Sequence, residues 1–231
     1  MNSAYEPLFT PFSIRNTRIK NRYFMAAMGT VTHNDEDGAY LPDAVDYFVR
    51  RAAGGVGLII TGANWVDNNI EVHSPGSFPC PTICPGKYIK AARELTDRVH
   101  AFDTKIFVQL TAGLGRSAMP AMIHDRKFVA PSTISNRWNP RIECRECGYD
   151  GVEVHAVHEG YLLDCFAMSL FNKRTDKYGG DLNGRLRFAI EIVQKIKQYC
   201  GEDFPVILRF SLKSYIKDLR QGAVPGETFT E

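Results

Sequence analysis

Short apolar runs alternate with helical patterns along most of the chain. Apolar runs of strand length predict five strands, at residues 22–27, 56–61, 105–110, 151–156 and 206–210. Between them, apolar residues at helical spacing predict helices at residues 42–53, 87–102 and 185–200. Strand–helix–strand repetition of this kind predicts a parallel sheet with right-handed crossovers. Residues 9–23 alternate around Arg15, Asn16 and Thr17, which predicts a small hairpin ahead of the first strand.

Two features depart from a complete strand–helix repeat. Residues 111–146 are rich in Pro, Ser, Asn and Gly and carry no helical pattern, although a parallel crossover normally includes a helix. A helix is therefore predicted to be missing just before Cys147. Five strands also fall short of the eight strands and about 250 residues of a closed barrel. The predicted fold is α/β: a TIM (β/α)8 barrel that is incomplete, forming one domain over residues 1–231 without its C-terminal strands.

Composition limits the classes of partner. The 231 residues include 28 Lys and Arg against 26 Asp and Glu, a net charge of +2 that gives no reason to expect a nucleic-acid or anionic-membrane partner. No apolar run approaches the ~20 residues that a membrane span requires, and the N-terminus shows no secretory signal. Six cysteines in such a chain are typical of cytosolic thiols rather than of a disulfide framework. We expect a cytoplasmic globular protein.

The densest cluster of chemically useful side chains lies at the end of the fourth predicted strand. His155 and His158 are three residues apart, and Tyr161 follows them. In parallel α/β sheets this end of a strand carries the active site, so two N–H donors and a phenol could act there on a substrate oxygen. The alternative is two hydrogen-bonded histidines and a surface tyrosine. A zinc site is a weaker hypothesis, because two histidines need a third ligand.

Two polar residues lie near the ends of other predicted strands. Arg209 in an apolar strand costs several kcal/mol if it is buried alone, so it needs an anionic or hydrogen-bonding partner there. The alternative is a surface arginine with a buried stem. Gln109 has a similar position in the strand at residues 105–110. Small residues at 28–29 and 62–63 follow two strands, where backbone could approach a flat ring, although each is also typical of a turn.

The cysteines offer another interpretation of the chemistry. Cys80 and Cys84, together with Cys144 and Cys147, provide four thiols at spacings that could hold zinc. Nothing between them resembles a zinc ribbon or finger. Cys144 and Cys147 also flank the place where the helix is predicted to be missing. We therefore expect no metal site.

Several segments together resemble the Old Yellow Enzyme family of flavin-dependent ene-reductases. They are EPLF (residues 6–9), KNR (20–22), MAAMG (25–29), GLIITG (57–62), FVQL (107–110) and GVEVHAVHEGYLLD (151–164). The most specific signature is NKRTDKYGG (172–180) followed by NGRLRF (183–188). TAGLGR (111–116), PSTISN (131–136) and SYIKDLRQG (214–222) are similar to the 2-enoate reductase subgroup, which resembles 2,4-dienoyl-CoA reductase.

The resemblance implies a TIM barrel that holds FMN at its C-terminal mouth and takes electrons from NADH. It implies that one side of the isoalloxazine ring is lined by one short segment and by one residue of the next strand. These residues are Ala26, Ala27, Met28 and Gly29, together with Ala63. Gln109 would bind the pyrimidine edge, and Arg209 would offset negative charge on the reduced flavin. His155 and His158 would hold the carbonyl or carboxylate of the substrate. Tyr161 would protonate Cα after hydride reaches Cβ.

The sequence also departs from the family pattern. Ala27 stands where many relatives have proline, and Cys165 where glutamine is usual. The phosphate-binding loops, the cysteines of a 4Fe–4S cluster and the FAD and NADH domains of 2-enoate reductases are expected beyond Glu231. Open sheet edges lead us to expect self-association and weak FMN retention.

The expected function is an FMN-dependent reductase of small α,β-unsaturated carboxylates or thioesters, with a homo-oligomer as one possible state. A catalytically inactive barrel fragment without bound flavin and, further behind, a metal-binding module are the alternatives. Flavin absorbance distinguishes the first two, and metal analysis tests the third.

Overall fold

The computed structural model describes residues 3–29, 34–66, 76–114, 148–157, 161–169 and 171–211. A short 3₁₀ helix, Ser3–Phe9, opens the chain. The strands are β1 (Phe12–Ile14), β2 (Thr17–Ile19), β3 (Phe24–Met28), β4 (Leu58–Trp65), β5 (Lys105–Thr111), β6 (Gly151–Ala156) and β7 (Val206–Phe210). The helices are α1 (Pro42–Ala53), α2 (Pro85–His100), α3 (Leu162–Ala167) and α4 (Leu182–Cys200).

Strands β3 to β7 form one parallel sheet in sequence order. Helix α1 connects β3 to β4, α2 connects β4 to β5, and α4 lies between β6 and β7. This confirms the predicted parallel architecture, an arc of a TIM barrel with outer helices. The observed bounds of α1, β6 and β7 are those predicted from the sequence.

Local sequence explains where the helices begin and end. Pro42 opens α1, where its missing N–H costs nothing, and Gly55 follows the helix with a φ of +96°. The Asp181 side chain caps α4 by accepting a hydrogen bond from the Gly184 N–H at 2.8 Å. Gly201, at φ +95°, ends the same helix. Among the described helices, none has the length and apolar character that crossing a bilayer demands.

The sheet buries a different set of side chains on each face. The outer face packs against the helices in the main core, which includes Ile59, Ile106, Val152 and Val154 of the strands and Phe48, Leu95 and Ile192 of the helices. The inner face carries a smaller cluster, in which Leu58, Ile60 and Phe107 contact Ile19 of the hairpin. Alternation of side chains along each strand therefore separates a helix-covered face from the barrel interior.

The predicted hairpin lies across the N-terminal end of the sheet. Strands β1 and β2 pair antiparallel around Arg15 and Asn16. The Gly57 N–H donates to the carbonyl oxygen of Tyr23 at 2.8 Å, and the Thr17 hydroxyl lies 3.3 Å from the carbonyl oxygen of Asp150. These contacts close the base of the barrel, so the opposite end of the strands is left for the site.

Several details differ from the sequence predictions. Strand β4 continues to Trp65, so Ala63 lies inside the strand and not after it. It does so because pairing with β5 resumes after an irregularity between Ile60 and Ala63. Helix α3 and the opening 3₁₀ helix were not predicted, since both are too short for a helical period. The segment before Cys147, where a helix is predicted to be missing, lies outside the described residues.

Gly62 lets strands β3 and β4 approach each other closely. A Cβ atom at this position would lie 2.7 Å from the backbone nitrogen of Gly29 and 2.8 Å from the carbonyl oxygen of Met28. Both are backbone atoms, so the two strands would have to separate. Gly62 lies within the irregularity of the β4–β5 pairing, between Ile60 and Ala63, after which the C-terminal half of β4 begins.

We predict that Gly62→Ala lowers the free energy of unfolding by about 1–3 kcal/mol, because the methyl group overpacks two backbones. Gly86→Ala is the matched control. It lies in α2 with open space around its Cβ position, so it should raise stability by roughly 0.5–1 kcal/mol. Chemical denaturation of both variants measures the difference, and equal effects would contradict the close approach.

Candidate active site

The C-terminal ends of the parallel strands lie along one rim of the sheet. Cα pairing aligns Ala63 with Gln109, and Gln109 with Glu153, across β4, β5 and β6. On the next pair of strands, His155 is aligned with Arg209. Aligned residues of neighbouring strands share a face, and Gln109 lies two residues beyond the inward-facing Phe107. The sheet therefore brings these side chains to one end of the barrel interior.

Gln109, Glu153 and Arg209 form the polar centre of this rim. The Gln109 side-chain Nε2 donates to Glu153 Oε1 at 2.5 Å. Burial raises the pKa of Glu153, while the Gln109 hydrogen bond and the positive charge of Arg209 offset part of that rise. The attraction between Arg209 and Glu153 is electrostatic, and Arg209 itself is only partly buried.

Side chains of β4 hold both backbone polar groups of Gln109. Its N–H donates to the Thr61 hydroxyl oxygen at 3.0 Å, and the Asn64 amide Nδ2 lies 3.4 Å from its carbonyl oxygen. On the outer face, Asn64 Oδ1 accepts hydrogen bonds from the hydroxyls of Tyr40 and Tyr88, each at 2.8 Å. Burial raises the pKa of Tyr40, so this hydroxyl remains a neutral donor. Gln109 therefore extends from a rigid, hydrogen-bonded stretch of two strands.

His155 and Tyr161 contact each other above β6. The two rings meet edge to face, with centroids 4.8 Å apart and planes at 79°. His155 is only 3% exposed, and Tyr161, directly before α3, also packs against the cluster around Trp65. The structure brings these two predicted residues together, and His155 is aligned with Arg209. His158 lies outside the described residues.

A small cleft opens beside the first two barrel strands. Gly29, Gly62 and Ala63 line it, together with Asn34 and Phe78. Asn34 is 6% exposed, and within the described part of the chain neither its side-chain oxygen nor its nitrogen has a hydrogen-bond partner. A buried amide beside small residues fits a flat polar ligand better than an apolar one.

The other predicted ring-binding residues lie along β3. Ala26 is exposed, and Ala27 packs partly against the inner-face cluster. Met28, the last residue of β3, is about half exposed and is aligned with Thr61 of β4. Ala26 and Ala27 have small side chains at this edge of the sheet, whereas Met28 is large and half exposed.

The signature at residues 172–185 holds the loop between α3 and α4. Asn172 Nδ2 donates to the carbonyl oxygens of Phe166 and Tyr178, at 2.8 and 2.7 Å. Arg185, 5% exposed, donates from Nε to the carbonyl oxygen of Ala167 at 2.9 Å and from Nη1 to that of Gly180 at 2.6 Å. The role of this most specific motif of the sequence is therefore structural, because it supports the elements next to the rim.

Sequence reasoning missed Glu153 and Asn64. Glu153 carried a usable signal, because an acidic residue within the apolar run Val152–Val154 needs a partner as much as Arg209 does. Asn64 carried none, since its partners Tyr40 and Tyr88 are 24 residues away on either side.

A metal site at this end of the sheet would need at least three ligands close together. Over the residues that the structure describes, no three His, Cys, Asp or Glu side chains lie together in a way that could hold a metal ion. Neither Cys80 nor Cys84 takes part in a disulfide bond among the described residues. Cys144 and Cys147 fall outside the described ranges.

Comparison with known proteins gives a consistent result. The sequence profile of the NADH:flavin oxidoreductase / NADH oxidase family matches residues 7–139 and 141–230. Cinnamate reductase of Clostridium sporogenes is 47% identical over 253 aligned positions, which cover 100% of this chain and 38% of that protein. NADPH dehydrogenase of Bacillus subtilis is 32% identical and covers 90% of this chain. The chain spans 64% of the length of that second protein.

Solved structures agree on the fold. An Old Yellow Enzyme from Pichia sp. superposes with a TM-score of 0.73 at 27% identity, covering 89% of this chain and 60% of that one. A 2-naphthoyl-CoA reductase superposes with the same TM-score at 26% identity, covering 89% of this chain and 35% of that one. The five-stranded arc is thus similar to part of a larger barrel.

The contacts of Arg185 give a test of the signature loop. We predict that Arg185→Lys lowers the free energy of unfolding by about 1.5–3 kcal/mol, because a lysine cannot donate to both carbonyl oxygens from one buried position. Arg187→Lys on the same helix is the control. Its side chain is exposed and makes one hydrogen bond, to the carbonyl oxygen of Lys177, so we expect a change within about 0.5 kcal/mol. Equal losses in urea denaturation would contradict the assignment.

Proposed function

Because the chain belongs to the NADH:flavin oxidoreductase / NADH oxidase family, we propose that it is the FMN-binding barrel portion of an ene-reductase. The reaction is reduction of the C=C bond of a small α,β-unsaturated carboxylate or thioester, with NADH as the electron source. The observation that carries the proposal is the shared rim, where parallel register gathers Gln109, Arg209 and His155 from three strands.

The chemistry of the donor set supports FMN as the cofactor. Gln109 offers an amide, which pairs with the carbonyl and imide groups of a pyrimidine ring. Arg209 offers a fixed positive charge for negative charge that accumulates on the ring. Gly29 and Ala63 line a cleft beside the rim together with the buried Asn34, whose amide has no hydrogen-bond partner among the described residues. When bound there, FMN would supply the hydride for the β-carbon of the substrate.

The remaining residues act on the substrate. His155, joined by His158, donates hydrogen bonds to the carbonyl or carboxylate oxygen and so stabilises the enolate charge that develops. Tyr161 donates its phenolic proton to the α-carbon. The edge-to-face contact between the rings of His155 and Tyr161 supports these two roles, because it holds the hydrogen-bond donor and the proton donor next to each other.

Relatives narrow the substrate class. The 47% identical protein is named a cinnamate reductase, so a conjugated carboxylate is the favoured substrate. One of the similar structures is a 2-naphthoyl-CoA reductase, so a thioester is the second candidate substrate. The chain spans 38% of the length of the cinnamate reductase.

The first test is cofactor binding. We predict that the purified chain binds FMN in a one-to-one ratio, seen as quenching of flavin fluorescence in a titration. Gln109→Leu and Arg209→Met should each weaken binding by about tenfold or more, which corresponds to loss of one charged or well-placed hydrogen bond. A chain that binds no FMN at all would contradict the proposed function and favour the inactive fragment.

The second test separates the two halves of the reaction. In Tyr161→Phe, flavin reduction by NADH should proceed as in the parent, while reoxidation by cinnamate should slow by about 10²-fold or more, the scale of lost general-acid catalysis. Stopped-flow absorbance follows both steps in the complete enzyme. Tyr199→Phe, exposed on α4, is the matched control and should change neither step. Unchanged reoxidation in Tyr161→Phe would remove Tyr161 from the mechanism.

A further inference from the structure

Glu153 is a buried acid to which the proposed reaction assigns no role. It is 4% exposed, in the middle of β6. Apolar side chains surround its strand, since Val152 and Val154 pack into the outer core, and Ile207, its aligned neighbour, packs into the inner cluster. Taking a carboxylate out of water is costly, so such a residue needs a compensating role.

The folded protein gains no stability from the ionised form of this residue. Burial raises the pKa of Glu153 above its value in the unfolded chain. Between the two pKa values the folded state holds a proton that the unfolded state has released, so the free energy of unfolding falls as pH rises through this window. Above this pH window, the folded state carries the whole cost of burying the ionised carboxylate. A structural reason for an acid here is therefore weak, and a functional reason is favoured.

The geometry shows what the carboxylate does. Its Oε1 lies 2.5 Å from Nε2 of Gln109, and an ionised carboxylate can only accept hydrogen bonds. The amide of Gln109 must therefore turn its NH2 group towards Glu153. That orientation leaves Oε1 of Gln109, an acceptor, free to face away from Glu153.

We propose that Glu153 is a positioning residue that fixes the amide orientation of Gln109, so that the rim presents an acceptor to an N–H group of its ligand. This rests on the proposed function, because the ligand chemistry it selects is an imide such as that of the flavin pyrimidine ring, with an N–H between two carbonyl groups. A rim with the opposite amide orientation would present two donors and would reject that N–H.

Neighbouring charges act on the same group. At the level of Glu153, β7, β5 and β4 contribute the uncharged Ile207, Gln109 and Ala63. Two residues further along the strands, β6 contributes His155 and β7 contributes Arg209. Arg209 attracts the carboxylate electrostatically, whereas the orientation of the amide depends on the direct hydrogen bond. An amide of the same shape at position 153 could face Gln109 with either its oxygen or its NH2 group, so it would no longer fix the orientation of the Gln109 amide.

Glu153→Gln is the test variant, and Glu202→Gln, exposed after α4, is the matched control. Three properties of the chain are measured near neutral pH: urea denaturation, FMN affinity by fluorescence quenching, and the NMR signals of the Gln109 side-chain amide without FMN. We expect Glu153→Gln to be at least as stable as the parent, to bind FMN about tenfold or more weakly, and to shift the Gln109 amide proton upfield. Glu202→Gln should change none of these.

Any other outcome contradicts either the positioning role of Glu153 or the proposed function. If the parent binds FMN and Glu153→Gln binds it equally well, the positioning role is wrong while the proposed function stands. An unmoved Gln109 amide signal, or a marked loss of stability in Glu153→Gln, also overturns the role and makes Glu153 a structural residue. If the parent itself binds no FMN, the proposed function fails and the inference fails with it.

Discussion

Parallel pairing of β3 to β7 is the constraint on which the rest of the structure depends. It directs every C-terminal strand end to one rim, and its register decides which side chains meet there. Gln109, Glu153 and Arg209 lie far apart in the sequence, yet each needs only its place in the register to reach the others. A shift of one residue in β6 would turn Glu153 and His155 to the outer face. The apolar core beneath the helices therefore also fixes the chemistry of the rim.

The rim is held by polar contacts that a stable core would otherwise avoid. Thr61 and Asn64 hold the backbone of Gln109, and two tyrosine hydroxyls from the outer face hold Asn64. Glu153 remains buried at a cost in stability. Such a concentration of satisfied polar groups at strand ends is typical of a preorganised site. The loop signature around Asn172 and Arg185 supports it from the next layer by binding backbone carbonyl groups.

The sequence predicted the repeating architecture well, for identifiable reasons. Helix α1 begins at a proline and ends before two glycines, and β6 and β7 are apolar runs bounded by breaks in the pattern, so their ends were clear. The end of β4 was missed because Gly62, Ala63 and Asn64 have low strand propensity, and only pairing with β5 keeps them extended. In the site, motifs indicated His155, Tyr161, Gln109 and Arg209. Contacts between strands, such as Gln109 with Glu153, depend on register, which a single sequence does not display.

The central claim is that the inner rim of β3 to β7 binds a flavin. Chemical-shift mapping of the isotope-labelled chain during an FMN titration tests it most directly, because it reports the binding face without requiring turnover. The account predicts that the largest changes occur at residues 26–29, 63, 109 and 209, with little change in α1 and α2. Changes confined to the helix-covered outer face, or no specific changes at saturating FMN, would contradict it.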